Sequence, residues 1–501
     1  MDSGTERAGS VKRNSAIRRL VASSGFAVGL SIFVVKNASA DIVLWKPEKS
    51  DDGWEIFTNG RIGVFGSYAR GDGIPQGTTY GDPVLTPTDP TKATMPCDPM
   101  NNPCTYQSPA LHAVKTGGGG IFWEPQQQYT ILNPDGTPSP KIVTHVNHWR
   151  VRSGFTGNVL GFGVRRTLGP YLKVTGYVSY TAIVDAHGQK QISASLPAAT
   201  PDAREGYVKL EGPWGGFLVG RTGTLFDRGA VVTDFLYLHG YGVGFPGDLA
   251  SSGNFPTAGQ IGFGVLANGF AAGLVYSTPE FFGIQLSAGL FDPSNMTGSS
   301  VERSKEPRDE FELTINEPLG TVGKVHIYVN GAYQRHYRPK ETDNDPEISK
   351  GYGYGGRLEM GPVHLGAGAH RGTGISMTYD GIPGEATYND STQFRDTSGF
   401  FVMGQLALGK LDLSGGYGQS RVQVLNNDLA PDTTGPINPA TGGHDPAFSW
   451  IQSQSAFSAA VVYHVTNWIH LDVDAIFTTS KWNLGEQQKI NFYNAGTTLT
   501  W

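Results

Sequence analysis

From about residue 41 onward, hydrophobic and polar residues alternate instead of clustering. Ile469, Leu471, Val473, Ala475 and Phe477 interleave with His470, Asp472, Asp474 and Thr478. Val325, Ile327, Val329 and Tyr333 alternate with Lys324, His326, Tyr328, Asn330 and Gln334, and Phe311, Leu313 and Ile315 with Glu310, Glu312, Thr314 and Asn316. Successive side chains of a strand point to opposite faces, so each stretch predicts a strand with one apolar and one polar face. Sixteen such segments can be marked, the first at 54–70 and the last at 488–501. Their length and the Tyr and Trp near their ends favour a lipid-facing band with aromatic girdles over the shorter strands of a soluble sandwich.

The connections alternate as well. Short ones, such as 168–170, 212–216, 361–362, 409–410 and 466–467, separate long polar stretches, among them 71–146, 185–203, 223–260, 372–397 and 425–452. Short turns on one side and long loops on the other define a transmembrane antiparallel β-barrel, with periplasmic turns and extracellular loops. An even strand count returns both ends of the chain to one side. Closure follows from the solvent: lipid cannot satisfy a bare strand edge, so every backbone N–H and C=O must pair within the barrel. Sixteen strands enclose a lumen too wide for side chains to fill, so it holds water.

Composition agrees, with 69 Gly, 25 Phe and 21 Tyr among 501 residues and 16% charged. Beyond the first forty positions no apolar run is long enough to cross a bilayer as a helix. The first forty residues read as a signal peptide: Lys12, Arg13, Arg18 and Arg19 precede an apolar stretch from Leu20 to Val35 and then Ala38-Ser39-Ala40. Cleavage is expected after Ala40, leaving 41–501 as the barrel. A membrane anchor is the alternative, although the stretch is short for a span and carries Gly and Ser. Cys97 and Cys104, the only cysteines, predict a local disulfide in an exported chain. The formal net charge of −6 argues against nucleic acid as a partner. No H-E-x-x-H, G-x-S-x-G, C-x-x-C or P-loop pattern occurs, and the twelve His form no metal-ligand motif. A passive protein without cofactor, metal or catalysis is expected.

Several stretches resemble the Gram-negative general (diffusion) porins, the sixteen-stranded trimeric outer-membrane family: RSGFTG at 152–157, AREGYVKLEGPWGGFLVGR at 203–221, LVYSTPEFFGIQLSAG at 274–289, and the aromatic terminus Trp501. Their order spans nearly the whole chain after residue 41. The resemblance implies a homotrimer in outer-membrane lipid, with a third loop (222–260) folded into the lumen. Asp227, Asp234 and Asp248 would be its acids, and Arg152 and Arg204 match the family's wall arginines. A third position often basic in the family falls near Ser277.

Alternation independently places Arg150 and Arg152 on the face opposite Trp149 and Val151, and Arg61 opposite Ile62 and Val64. Opposite charges across a narrow wet constriction create a transverse field that orients polar solutes. Trp501 shares parity with Leu499, Thr497, Ala495 and Tyr493, and resembles the terminal strand read by the barrel-insertion machinery, where the family usually has Phe. The expected function is a water-filled channel for passive diffusion of small hydrophilic solutes and ions. A sugar- or anion-specific channel of the same fold, or an adhesin or structural barrel occluded by its long first loop, are the alternatives.

Overall fold

The computed structural model describes residues 41–47, 53–72, 85–87, 104–106, 145–152, 158–182, 202–236, 259–266, 268–293, 306–336, 347–375, 394–424, 451–482 and 487–501. The expected signal peptide, Cys97 and Asp248 lie outside them.

The described chain is almost entirely strand. A short β1 (Ile42–Trp45) precedes β2 (Glu55–Asp72); β3 (Leu85–Pro87) and β4 (Cys104–Tyr106) pair with each other alone. The wall continues through β5 (His145–Arg152), β6 (Asn158–Leu168), β7 (Leu172–Ala182), β8 (Asp202–Gly212) and β9 (Gly215–Gly223). After a helix, α1 (Arg228–Thr233), come β10 (Phe270–Ser277), β11 (Ile284–Phe291), β12 (Arg308–Leu319), β13 (Gly323–His336), β14 (Glu347–Met360) and β15 (Val363–Thr373). The last strands are β16 (Asp396–Leu408), β17 (Leu411–Val422), β18 (Ile451–His464), β19 (Ile469–Trp482) and β20 (Gln487–Thr500).

Each pairs antiparallel with its neighbour in sequence, and β2 closes the ring by pairing with β20 from Arg61↔Thr500 to Gly71↔Ile490. The opposite edge of β2 pairs with β5 above and β6 below, so these two are lengths of one wall strand. The result is a closed barrel of sixteen strands with one extra strand.

The alternation becomes a sorting of faces. In β19 Leu471 and Val473 are 47% and 59% exposed, whereas Asp472 and Asp474 are buried. Apolar side chains face out and polar ones face in, the reverse of a soluble sheet and the arrangement that lipid outside and water inside demand. The two-residue turns between β14 and β15 and between β16 and β17 are reached through Gly361 (φ 54°) and Gly409 (φ 67°), a region that disfavours a Cβ.

The extra strand, β1, was not marked by alternation. Its register on β2 (Ile42↔Thr58, Val43↔Phe57) follows directly on that of the C-terminus, where Trp501 and Gly60 exchange two backbone hydrogen bonds of 2.9 and 3.0 Å. Along the edge of β2 the partners are therefore Thr500, Trp501 and, past Asn59, Ile42. Asp41 fills the interval: its carboxylate accepts from Asn59 Nδ2 at 3.2 Å and from Arg165 Nη1 at 2.6 Å. The two ends of the described chain make one composite strand.

Candidate pore constriction

The long connection after β9 departs from the wall at Thr224 and is held by inward-facing side chains. The amides of Leu225 and Phe226 both donate to Glu310 Oε2, at 2.6 and 2.9 Å, while Glu310 Oε1 lies 2.7 Å from Arg308 Nε. Asp227 adopts a left-handed conformation (φ 56°) that turns the chain into α1, a region short polar residues tolerate. Arg228 donates through Nε to Glu312 at 2.9 Å and forms an ion pair with the same carboxylate. Gly229 then lies on Tyr328, where an added Cβ would come within 2.2 Å of the ring.

Past α1 the Asp234 carboxylate joins the outgoing and returning segments, accepting from Leu236 N at 2.8 Å and Gln260 N at 2.7 Å. The returning segment is fixed to strands farther round the barrel. Gln260 Nε2 donates to Ser458 Oγ and Gly264 N to Ser420 Oγ, each at 2.9 Å. Phe263 enters an apolar cluster with Ala69, Ala456, Ile476, Ile490 and Phe492. At Gly264 (φ 100°) a Cβ would lie 2.0 Å from the Phe400 carbonyl oxygen. The two limbs thus grip the inner wall at β12–β14 and at β16–β20.

Among the sequence-marked residues, Asp227 and Asp234 sit together on this loop, buried at 1% and 5% exposure. Asp227 lies over Gly353 beside Asn330, where a Cβ on Gly353 would meet its Oδ1 at 2.2 Å. Arg61 is inside the barrel, buried, within electrostatic reach of Asp472 and His470 on β19. Arg150 and Arg152 stand on β5 opposite Ser67 and Phe65, the positions of β2 whose side chains face inward.

Arg204 stands apart. It is the extra residue of a bulge in the β7–β8 pairing, where Ser179 opposes Glu205 and Tyr180 opposes Ala203. Its guanidinium lies 5.2 Å over Phe270, which shares the outward parity of Leu274 and Tyr276. The buried inward carboxylate at this level is Glu205, bonded to Ser179 Oγ at 3.1 Å. A one-residue bulge exchanges the faces of the residues beyond it, a shift that period-two counting does not register.

Alternation marks Glu310 and Glu312 only as residues of a strand's polar face, and not as the groups that hold the loop. Trp501 packs its ring where a Cβ on Gly60 would fall, 2.4 Å from Cζ2, on the face opposite buried Arg61. Cys104 is paired through its backbone with Pro87.

A closed barrel with apolar exterior, charged interior and a loop tied across its inner wall defines an aqueous membrane pore. A family model described as Gram-negative porin matches residues 141–444, more than half of the chain, and the chain belongs to that family. No curated protein sequence matches it. The outer membrane channel DcaP of Acinetobacter baumannii has the same fold, at 13% identity and a TM-score of 0.54, over 91% of this chain and 99% of that one. An anion-selective porin from Comamonas acidovorans (10% identity, TM-score 0.49, 90% of this chain and 100% of that one) and Salmonella typhi OmpF in complex with daunomycin (12%, 0.45, 90% and 98%) are more distant. The protein is a multi-pass outer-membrane barrel and a diffusion channel.

Proposed function

We propose that the narrowest part of the channel lies between the limbs of the loop described at 224–236 and 259–266 and the facing wall of β5–β8, and that it passes small hydrophilic solutes and ions. The observation that carries this reading is the pair of anchors, Glu310 under the outgoing limb and Ser458 with Ser420 under the returning one. They hold the two described limbs of the loop against the inner wall. In this reading Asp227 and Asp234 act chiefly by fixing the loop, while Arg61, Arg150 and Arg152 supply positive charge along the wall. Asp248, within the same loop, completes the set marked from sequence, whereas Arg204, over outward-facing Phe270, is left out of the constriction.

A sugar-specific channel would offer aromatic faces to its solute. The inward file of Phe57 and Tyr177, stacked at 6.3 Å, is 5% and 9% exposed and lies against Gly163 and Gly161, so its faces are taken up by the wall. Planar-bilayer recording of the folded protein is expected to give discrete ohmic steps without saturation by any one solute. Absence of steps would favour an occluded barrel, and block by a single solute class would favour a specific channel.

The same proposal includes export with cleavage after Ala40, a Cys97–Cys104 disulfide, recognition of Trp501 by the insertion machinery, and a homotrimer. The place of Asp41 directly after Trp501 along β2 supports the cleavage site, because a preceding residue in the strand line would meet the C-terminus. Intact-mass analysis of protein extracted from outer membranes should give a chain beginning at Asp41, lighter by two hydrogens than its reduced form. A mass retaining the first forty residues, or two free thiols, would overturn the corresponding part.

A further inference from the structure

At the short-turn end of the barrel, two strand pairs repeat one arrangement of charge. Lys173, the second residue of β7, stands opposite Glu211, the next to last of β8, and Lys324, the second of β13, stands opposite Glu359, the next to last of β14. Two residues before each glutamate comes a further cation, Lys209 in Lys-Leu-Glu and Arg357 in Arg-Leu-Glu. Each carboxylate therefore bridges two cations. Glu211 takes Lys209 Nζ at 2.8 Å and Lys173 Nζ at 3.6 Å, and Glu359 takes Arg357 Nη2 at 2.7 Å and Lys324 Nζ at 3.1 Å.

Both clusters face the lumen, because Lys173 has the parity of buried Tyr177 and Ser179, and Lys324 that of buried Tyr328 and Asn330. With two cations to one carboxylate, each cluster keeps one positive charge in excess. The lysines carry it into water, their side chains 43% and 57% exposed. Charge elsewhere at this end reduces the excess without cancelling it. Along β2 and β6, Lys46 and Arg165 meet Asp41 and Glu55, two against two, and Asp412 on β17, bonded to His464 at 2.8 Å, sets one negative charge against the pair of clusters. Exposed ion pairs contribute little to stability, so stability does not account for a second cation placed on each glutamate in the same way on two separate strand pairs.

We propose that the two clusters recruit small anions to the periplasmic mouth and form a second selectivity element, apart from the constriction at the third loop. They stand six intervals apart in a ring of sixteen strands, so each meets passing ions on its own. A mouth with excess charge of one sign raises the local concentration of the opposite ion. Each glutamate holds its two cations at the wall, which keeps the mouth open and sets the net charge of the cluster at one. The proposal rests on the barrel's conducting as a channel, and its consequence is directional: a pore charged at one mouth passes anions unequally from its two sides.

The test records single channels of the folded full-length protein in planar bilayers, with potassium chloride as the probe. In about 0.1 M salt, where the screening length is about 10 Å, wild-type currents at equal and opposite voltages should differ by roughly 1.5-fold or more, and the difference should vanish in about 1 M salt, where that length is about 3 Å. Lys173→Gln combined with Lys324→Gln brings each cluster to zero net charge. It should abolish the low-salt difference and move the reversal potential in a salt gradient towards cations. Glu211→Gln combined with Glu359→Gln raises each cluster to two positive charges, and should enlarge the difference and move the reversal potential towards anions. Variants that merely disturb the wall would not act with opposite signs.

Symmetric wild-type current at low salt overturns the proposal, and that measurement needs no variant to fold. An asymmetry left unchanged by the lysine variant would place its source elsewhere and overturn it too. So would reversal potentials that move in the same direction in both variants. A barrel without ohmic steps would fail as a channel and take this proposal with it, whereas ohmic steps of symmetric current would overturn the charged mouth alone.

Discussion

Glu310→Ala is expected to free the outgoing limb of the third loop while leaving the barrel standing. One carboxylate oxygen accepts both the Leu225 and Phe226 amides, and the other faces Arg308. A hydrogen bond to a buried charged acceptor contributes about 1.5–3 kcal/mol, and removing the acceptor also leaves two donors desolvated. Opening of the limb should therefore become easier by roughly a hundredfold or more. The wall strands keep their ladders, so the loss stays local.

Hydrogen exchange at Leu225 and Phe226 should accelerate by that factor, and the open channel should show increased current noise in planar bilayers. Glu310→Gln, which keeps one acceptor oxygen but loses the charge, should fall between the two. Unchanged exchange and noise in the alanine variant would mean that the loop is held by Arg228–Glu312 and the returning limb alone.

The second large effect is expected at the seam. Deleting Trp501 removes both backbone hydrogen bonds to Gly60 and the ring that covers it, at the junction where β20 gives way to β1. Backbone groups facing lipid have no water to replace the lost partners, at a cost of several kcal/mol each. The folded fraction in outer membranes, read as heat-modifiable mobility, should drop by roughly tenfold or more.

Trp501→Phe keeps the backbone pair and an aromatic ring, and should assemble nearly as well as wild type. Refolding of the deletion variant in detergent micelles separates two causes. Failure there as well locates the defect in the seam, whereas normal refolding with failed assembly in cells locates it in recognition of the terminal strand. Wild-type assembly of the deletion variant in cells would sink both.

Much of the wall was legible because a strand in this setting obeys a local rule. Whether Asp472 faces in and Leu471 faces out depends only on parity along one strand and on which solvent lies on each side. The short GP and GK turns follow from equally local chemistry. The four residues of β1 were not legible, because all four are exposed and show no alternation; their strand character comes from the edge of β2. Arg204 shows a different limit, since a single bulge undid the parity that its neighbours obey.

What the sequence by itself determined, then, is the class: strand count, alternation of turns and loops, the face of most side chains, and membership in the porin family through motifs spread over the chain. Tertiary structure alone decided which distant groups meet. Glu310 reaches Leu225 across 85 positions, and Gln260 reaches Ser458 across 198. The two clusters at the periplasmic mouth exist only because Lys173 meets Glu211 and Lys324 meets Glu359 in register. Parity repeats every two residues within a strand and can be read locally. Register is a relation between strands, set by hydrogen-bond ladders and closure of the barrel, and no single stretch of sequence contains it.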